Sequence, residues 1–369
     1  MTDEAYMRRA LHLAEQGRGR VHPNPMVGAL AVCGEQVVGE GYHPGPGQPH
    51  AEVFALEGVK ACGVTVYVNL EPCSFAGRTP PCADLLVQKG VDRVVCAMED
   101  PDERVSGKGF ARLQEAGIEV QVGVLEAEAR ALNVAYVKHR STGLPYVTLK
   151  LAQTLDGRIA TVRGDSKWIT SEGSRVRAHR LRADADAVLI GNGTLKADDP
   201  ELSVRHVEGA SPAKIVLDSR LEISTAARVF DGAPLKVATV SGVLEARIKA
   251  VEEAGAGVWA LPGAGGQVAL RDVLVRAGDE GYLHVLIEGG GQVAASALRE
   301  GLVDRVAVFI APKILGQGIA SVGDLEIDRV DDAIELDTVE IERIGEDLFY
   351  TATPKLRKGG GDGLWGEEA

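Results

Sequence analysis

Three residues restrict how this chain folds more than any others: His50, Cys73 and Cys82. One imidazole and two thiols supply three zinc ligands and leave the fourth position of a tetrahedron open, as catalytic rather than structural zinc sites do. A fold that uses them must bring these separated positions to one point. His50 and Cys73 each follow a chain-stiffening proline, Pro49 and Pro72. Cys82 follows Pro80-Pro81 and opens an apolar helical run over 83–88. Proline at a helix start is a capping arrangement that presents a side chain at the helix N-terminus. Such an end also lowers thiol pKa and favours the thiolate that a metal requires. Cys33, Cys62 and Cys96 lie in or beside apolar, strand-like runs and read as small core hydrophobes.

Two residues beyond His50 stands Glu52, placed to accept a proton from activated water and pass it to a leaving amine. His-x-Glu followed by Pro-Cys and a second Cys is the pattern of zinc deaminases. Their usual Cys-x-x-Cys spacing is replaced here by a gap of eight residues, so the general pattern fits only in part. Spacing alone leaves structural zinc, or no metal, open.

A chain of 369 residues is long for one core and suggests two domains. Residues 3–16 read as a helix with Met7, Ala10, Leu11 and Ala14 on one face. Residues 21–26 are too proline-rich for helix or central strand and form a shaped loop. Asn24 in that loop either holds a ligand's polar edge or serves as a turn former. A hairpin is expected from 27–32 and 36–39, joined through Gly34-Glu35. Strands at 64–70, 93–98 and 118–124 alternate with helices starting at 50–56 and spanning 107–116 and 126–138. Such alternation indicates an α/β sheet covered on both faces, with ligands at the carboxyl ends of strands, where Cys73 falls. Residues 138–145 form the best domain boundary, being polar with Gly and Pro. A second α/β unit follows, with strands at 146–151, 187–191, 214–218, 236–239, 284–288 and 305–310 and helices at 172–182 and 292–299. The end, from Lys358, reads as a flexible tail.

The net charge of −13 disfavours a broad basic surface for nucleic acid, and only 4% aromatic residues leaves little for base stacking. A phosphorylated small molecule needs only a few local Arg or Lys. No apolar run approaches the roughly 20 residues that span a bilayer. The start, Met1-Thr-Asp-Glu, lacks the features of a signal peptide, and five Cys argue for reduced thiols. Cytoplasm is the expected compartment.

Polar clusters crowd the second half: Lys150, Asp156-Gly-Arg158, Ser166 to Thr170, Arg182, Gly191 to Thr194, Asp198-Asp-Pro200, Arg205 and Glu288 to Gly291. In the last, a buried strand runs into three glycines and a helix, which exposes N–H groups to a phosphate. Residues 289–294 fit a relaxed dinucleotide fingerprint, but the next strand does not end in the acidic residue that holds a ribose. The strict G-x-G-x-x-G occurs only at 361–366, in the tail, and no Walker A sequence is present. The density of clusters indicates a ligand site without naming the ligand.

The ordered motifs resemble one family over nearly the whole length, the bifunctional deaminase–reductases of riboflavin biosynthesis. The carrying stretches are His22 to Gly28, His50-Ala-Glu52, and Glu71-Pro-Cys73 through Cys82. In the second half they are Leu155 to Arg158, Ser166 to Thr170, Gly191 to Thr194, Asp198 to Pro200 and Ile287 to Gly291. The eight-residue cysteine gap is normal for that family.

The resemblance implies a cytidine-deaminase-like three-layer αβα domain over 1–144, then a dihydrofolate-reductase-like α/β domain over 145–357, with 358–369 as tail. The first would hydrolytically deaminate 2,5-diamino-6-ribosylamino-4(3H)-pyrimidinone 5′-phosphate. There His50, Cys73 and Cys82 hold zinc, Glu52 shuttles the proton, and Asn24, His43 and Arg78 contact substrate. The second would use NADPH to reduce the ribosyl group to ribityl. By the same resemblance Ala152, Trp168, Thr170, Thr194 and Asp198 contact NADPH, with Gly289, Gly290 and Gly291 under its phosphates. Ser166, Arg182, Leu202, Arg205 and Glu288 contact the substrate, with Arg182 and Arg205 as phosphate clamps. Lys150 is a further candidate near the pyrimidine or its phosphate. A homo-oligomer is expected.

Two departures stand out. Phe75 takes the place of the family's usual His after Cys-Ser, and Asp102-Glu103 replace its usual Asn-Pro. Neither touches a zinc ligand or Glu52. A nucleotide or nucleic-acid deaminase with a ligand-binding second domain is the alternative reading, and a non-catalytic zinc protein is another. The acidic charge opposes nucleic acid, and an intact Glu52 opposes a purely structural site.

Overall fold

The computed structural model describes residues 1–59, 63–75 and 80–355. The chain divides into two units, Met1–Gly143 and Leu144–Ala369.

In the first unit the apolar runs become β1 (Gly28–Cys33), β2 (Gln36–Tyr42), β3 (Val64–Val68), β4 (Arg93–Cys96) and β5 (Glu119–Val122). Their order is β2-β1-β3-β4-β5, with β1 antiparallel to both neighbours and β3, β4 and β5 parallel. The helices are α1 (Asp3–Ala14), α2 (Ala51–Ala55), α3 (Cys82–Lys89), α4 (Lys108–Glu115), α5 (Glu126–Leu132) and α6 (Val134–Thr142). Successive strand residues point to opposite faces, so Val66 and Tyr67 enter different layers. Val66 joins Ala55, Leu86 and Leu113 of α2, α3 and α4 in one buried cluster. Tyr67 meets Tyr6 of α1 on the other face, with ring centroids 4.9 Å apart. Helix α2 lies so near β2 that a Cβ at Gly39 would stand 2.0 Å from the Ala55 carbonyl oxygen.

Three expectations change. The helix foreseen over 126–138 is broken at Asn133, whose buried side chain accepts from Met26 N at 2.8 Å and donates to Met26 O at 2.9 Å. The units divide at Gly143/Leu144, inside the foreseen boundary at 138–145, but most of that segment is helical, with the Ser141 and Thr142 hydroxyls donating to Val137 O and Lys138 O. Gly143, at φ 73°, then ends α6. Cys33 is exposed, not core, because it is the last residue of β1 before the hairpin turn. Cys62 and the tail from Lys358 lie outside the described residues.

The second unit begins with β6 (Tyr146–Thr154), β7 (Arg158–Thr161), α7 (Glu172–Ala183), β8 (Ala187–Gly191), α8 (Asn192–Asp198) and β9 (Ala213–Leu217). It continues with β10 (Leu235–Val240), α9 (Glu245–Glu253), β11 (Gly257–Leu261), the short pair β12 (Gly263–Ala264) and β13 (Gln267–Val268), and α10 (Leu270–Asp279). It closes with β14 (His284–Ile287), α11 (Gly291–Arg299), β15 (Arg305–Ala311), β16 (Gly318–Ala320), β17 (Leu336–Ile344) and β18 (Asp347–Pro354). The main sheet has nine strands in the order β11-β10-β9-β8-β14-β6-β15-β18-β17. It is parallel from β11 to β15 and ends in the antiparallel hairpin β17–β18.

Its central strands are apolar throughout because both faces are covered. Leu149, Leu189 and Ile287 face α10 and α11, while Val188, Ile190 and Leu286 face α8 and α9. The carboxyl ends of β8 and β14 lie beside the middle of β6, which sets Lys150, Thr194 and Glu288 around one cavity.

Candidate active sites

His50 is the N-cap of α2, and Cys82 is the first residue of α3 behind the N-cap Pro81. Two helix starts therefore point at one spot, and the turn after β3 delivers Cys73 to it. The Cys82 amide donates to Cys73 Sγ at 3.3 Å and the Ala83 amide to Cys73 O at 3.1 Å. His50 Nδ1 lies 3.2 Å from Cys82 Sγ and 3.6 Å from Cys73 Sγ. All three ligand atoms fall within 4.8 Å of one another.

A hydrogen bond from Cys82, with help from His50 and the Cys82 amide, pulls the Cys73 thiol down to about 4. The same bond, with burial, pushes the Cys82 thiol well up. Glu52 is 3% exposed, and burial raises its pKa. Its Oε2 has no hydrogen-bond partner among the described residues. A His-Cys-Cys donor set beside a buried carboxylate with one unpartnered oxygen fits a zinc ion with one open position.

His50, Glu52 and Cys73 line a cavity of about 380 Å³ that Asn24 and His43 also reach. His43 Nδ1 donates to Pro49 O at 3.1 Å, and its Nε2 accepts from Asn24 Nδ2 at 3.0 Å. That arrangement needs the neutral ring, and burial indeed lowers the His43 pKa. Arg78 lies outside the described residues.

Two lining carboxylates, Glu71 and Asp100, have no role assigned from the sequence. Glu71 accepts from Gly109 N at 2.8 Å, Gly107 N at 3.0 Å, and the amides of Asp100 and Phe110 at 3.3 Å each. It fastens the Cys73 segment to the 99–110 segment. Asp100 accepts from Tyr136 Oη at 3.0 Å and Asp102 N at 2.9 Å, and burial raises its carboxyl to about 6.

In the second unit a cavity of about 620 Å³ gathers Ala152, Trp168, Thr170, Thr194, Asp198, Gly289 and Gly290. Lys150, Ser166, Arg182, Leu202, Arg205 and Glu288 also line it. Gly291 opens α11 just behind. Arg182 was expected as a phosphate clamp, but its Nε and Nη2 hold Glu288 at 2.5 and 2.9 Å, and its Nη1 holds Ser203 O at 3.0 Å. Lys150 Nζ stands 3.6 Å from the same carboxylate. Burial alone would raise Glu288, but Arg182 and Lys150 outweigh it and hold the carboxyl at about 2. Arg205 stays near the rim, paired with Glu201 at 2.6 Å, and its amide donates to His179 Nδ1 at 3.0 Å. Burial, then Arg182 and Arg205, hold His179 down to about 4. Its place one helical turn before Arg182 in α7 was the available signal for it.

Around the remaining wall, Arg175 lies 4.5 Å from the Trp168 ring, and Lys313 Nζ donates to Trp168 O and Ile169 O at 2.7 Å each. Gly290 has φ 75°, and a Cβ on Gly289 would stand 2.8 Å from Thr194 Oγ1. The α11 N-terminus has no side-chain cap, which leaves its first amides without an intrahelical partner next to Gly290, which lines the cavity; such an end suits a phosphate. These residues fit a dinucleotide.

The first unit is thus a deaminase-type hydrolase domain, and the second a dinucleotide-type α/β domain. Residues 1–98 match the family described as the cytidine and deoxycytidylate deaminase zinc-binding region, and residues 145–350 match the RibD C-terminal domain. The chain is 45% identical to the riboflavin biosynthesis protein RibD of Aquifex aeolicus, over 94% of this chain and 97% of that one. It is 40% identical to RibD of Escherichia coli, over 94% and 98%. The solved structure of Acinetobacter baumannii RibD superposes with a TM-score of 0.89 at 36% identity, covering 96% of this chain and 99% of that one. The Thermotoga maritima diaminohydroxyphosphoribosylaminopyrimidine deaminase/5-amino-6-(5-phosphoribosylamino)uracil reductase gives 0.83 at 35% identity, with 96% and 99% covered. The chain belongs to the RibD family and is a bifunctional deaminase–reductase of riboflavin biosynthesis.

Proposed function

We propose that residues 1–144 deaminate a phosphoribosylated diaminopyrimidinone and that residues 145–357 then reduce its ribosyl group with NADPH. The observation that carries the first step is the unpartnered Oε2 of buried Glu52 beside His50, Cys73 and Cys82. Those three hold zinc, which supplies the Lewis acidity that makes water a nucleophile at neutral pH. Glu52, desolvated and so a stronger base than in water, takes the proton from the attacking water and returns it to the departing amine. Asn24, ordered by His43, and Arg78 hold the substrate. A neutral His43 keeps the pocket from adding a second positive charge beside the metal.

In the second unit NADPH supplies the hydride. Ala152, Trp168, Thr170, Thr194 and Asp198 bind it, with Gly289, Gly290 and Gly291 beneath its phosphates. Lys150, Ser166, Arg182, Leu202, Arg205 and Glu288 hold the sugar and its phosphate. The Arg182–Glu288 pair supports this reading as a rigid polar wall rather than a free cationic clamp.

The wider reading is a cytoplasmic homo-oligomer acting on a small phosphorylated substrate, without nucleic-acid or membrane partners. It is supported by the charge of −13 and by the exposed edge strand β17, where Ile341 is 64% exposed. No helix of the described residues is long and apolar enough to cross a membrane. The test is product analysis with the diaminopyrimidinone ribosyl phosphate. Ammonia release without NADPH, then NADPH oxidation tied to the deaminated product, is the expected result. Ammonia without NADPH oxidation overturns the second assignment.

A further inference from the structure

The mouth of the deaminase cavity has a built charge arrangement that the chemistry at Glu52 does not use. Phe75, half turned to solvent, lines it, and the guanidinium of Arg104 lies 5.5 Å from the Phe75 ring centroid. Asp102 is nearly buried and grips Arg104 with both oxygens, Nε to Oδ1 at 2.8 Å and Nη2 to Oδ2 at 2.5 Å. Its other oxygen contact fixes the backbone, since Arg104 N donates to Oδ1 at 3.0 Å. Behind it Arg140 sits over Tyr136 at 5.2 Å, with Nε 3.6 Å from Asp102 Oδ2 and no hydrogen-bond partner for that Nε among the described residues.

Two guanidinium groups therefore share one carboxylate at one end of the cavity. Arg104 and Arg140 are the only Arg or Lys side chains lining it among the described residues. Buried carboxylates, Glu52 and Asp100, occupy its interior. A ligand with a neutral ring and an anionic tail is oriented by that polarity. Stacking on Phe75 and pairing with Asp102 fix the plane of the Arg104 fork. A pre-oriented guanidinium of this kind suits a phosphate better than a free lysine does.

We infer that Arg104, seated on Phe75 and oriented by Asp102, is the specificity-determining residue for the phosphate monoester of the deaminase substrate, with Arg140 adding charge from behind Asp102. The inference rests on the deaminase assignment above. It also makes one change of the two departures in the sequence, because Phe75 and the 102–104 segment form a single contact.

The experiment compares ammonia release from the diaminopyrimidinone ribosyl phosphate and from its dephosphorylated riboside, using the full-length zinc-loaded chain. The expected result is that R104A lowers the ratio of the two kcat/KM values by about tenfold or more. R104K, which keeps charge without the planar fork, falls between R104A and the native chain, and F75A shifts the ratio in the same direction as R104A. Inhibition by inorganic phosphate weakens in the same order. Arg104 is largely exposed, so zinc content and melting temperature report that R104A is folded. A ratio in folded R104A within about twofold of the native value overturns the assignment and leaves the deaminase reading standing. Failure of the native chain to release ammonia from either compound overturns both.

Discussion

Arg182 and Glu288, 106 positions apart in the chain, meet as a two-pronged ion pair with Nη2 2.9 Å from Oε2. Lys150 approaches the same carboxylate at 3.6 Å, so one buried anion serves two cations. Removing one partner from such a site leaves buried charge unpaired, which costs about 3–5 kcal/mol. E288Q is expected to melt at lower temperature and to lose NADPH oxidation with deaminated substrate, while ammonia release by the first unit persists. The pair also sets a pH dependence. Glu288 is held at about 2 against an ordinary 4.5, so its contribution is present above pH 4.5 and is lost as pH falls toward 2. Acid melts of the native chain fall more steeply across that window than those of E288Q. Parallel curves would refute this account of the pair.

Glu52 and the three ligand residues separate metal binding from proton transfer. Glu52→Gln keeps the shape and removes the base, so zinc content is expected to stay near one per chain while ammonia release drops about 10²–10⁴-fold. Stripping the metal with a chelator should abolish ammonia release and spare NADPH oxidation with deaminated substrate. Metal analysis beside both assays checks this. Full activity in a zinc-loaded E52Q enzyme would remove Glu52 from the mechanism.

The parts of the sites legible in the sequence are those set by local signals. His50, Cys73 and Cys82 follow prolines, and the two that open helices do so where the local pattern places a start. The central strands of both sheets were legible because apolar runs buried on two faces have no competing period. The break at Asn133 was not, since its cause is a contact with Met26, 107 positions away. Strand β17, Leu-Asp-Thr-Val-Glu-Ile-Glu-Arg-Ile, is exposed along nearly its whole length and so carries no apolar stripe to announce it. Arg182 was legible as a cation in a ligand site, but its partner was not. Residue type can be read locally, whereas pairing depends on which strand ends the sheet order brings together.

Asp100 gives a prediction of opposite sign to that of Glu288. Burial raises its carboxyl from 3.8 to about 6, so the folded chain favours the protonated form. Its stabilising contribution is complete below about pH 3.8 and is lost as pH rises through 6. D100N keeps an oxygen that accepts from Asp102 N and Tyr136 Oη, and it cannot ionise. The melting temperature of D100N relative to the native chain should therefore rise between pH 4 and 8, by an amount on the order of 2–3 kcal/mol in stability. A difference that is flat across that range would show that Asp100 does not titrate in the fold.

Glu71 makes the most exacting demand on side-chain chemistry in the first unit, because each of its oxygens receives two backbone amides. Gln fills the same volume but turns one acceptor into a donor facing two N–H groups. Leaving buried donors unmatched costs about 1–3 kcal/mol per group. E71Q is therefore expected to melt several degrees lower. The disturbance falls on the segment that carries Asp100, Asp102 and Arg104, while Cys73 keeps its own bonds to Cys82 N and Ala83 N. The deaminase KM of E71Q should rise more than its zinc affinity falls. Measuring both on one preparation distinguishes this from general unfolding of the unit, which would reduce zinc retention and substrate binding together.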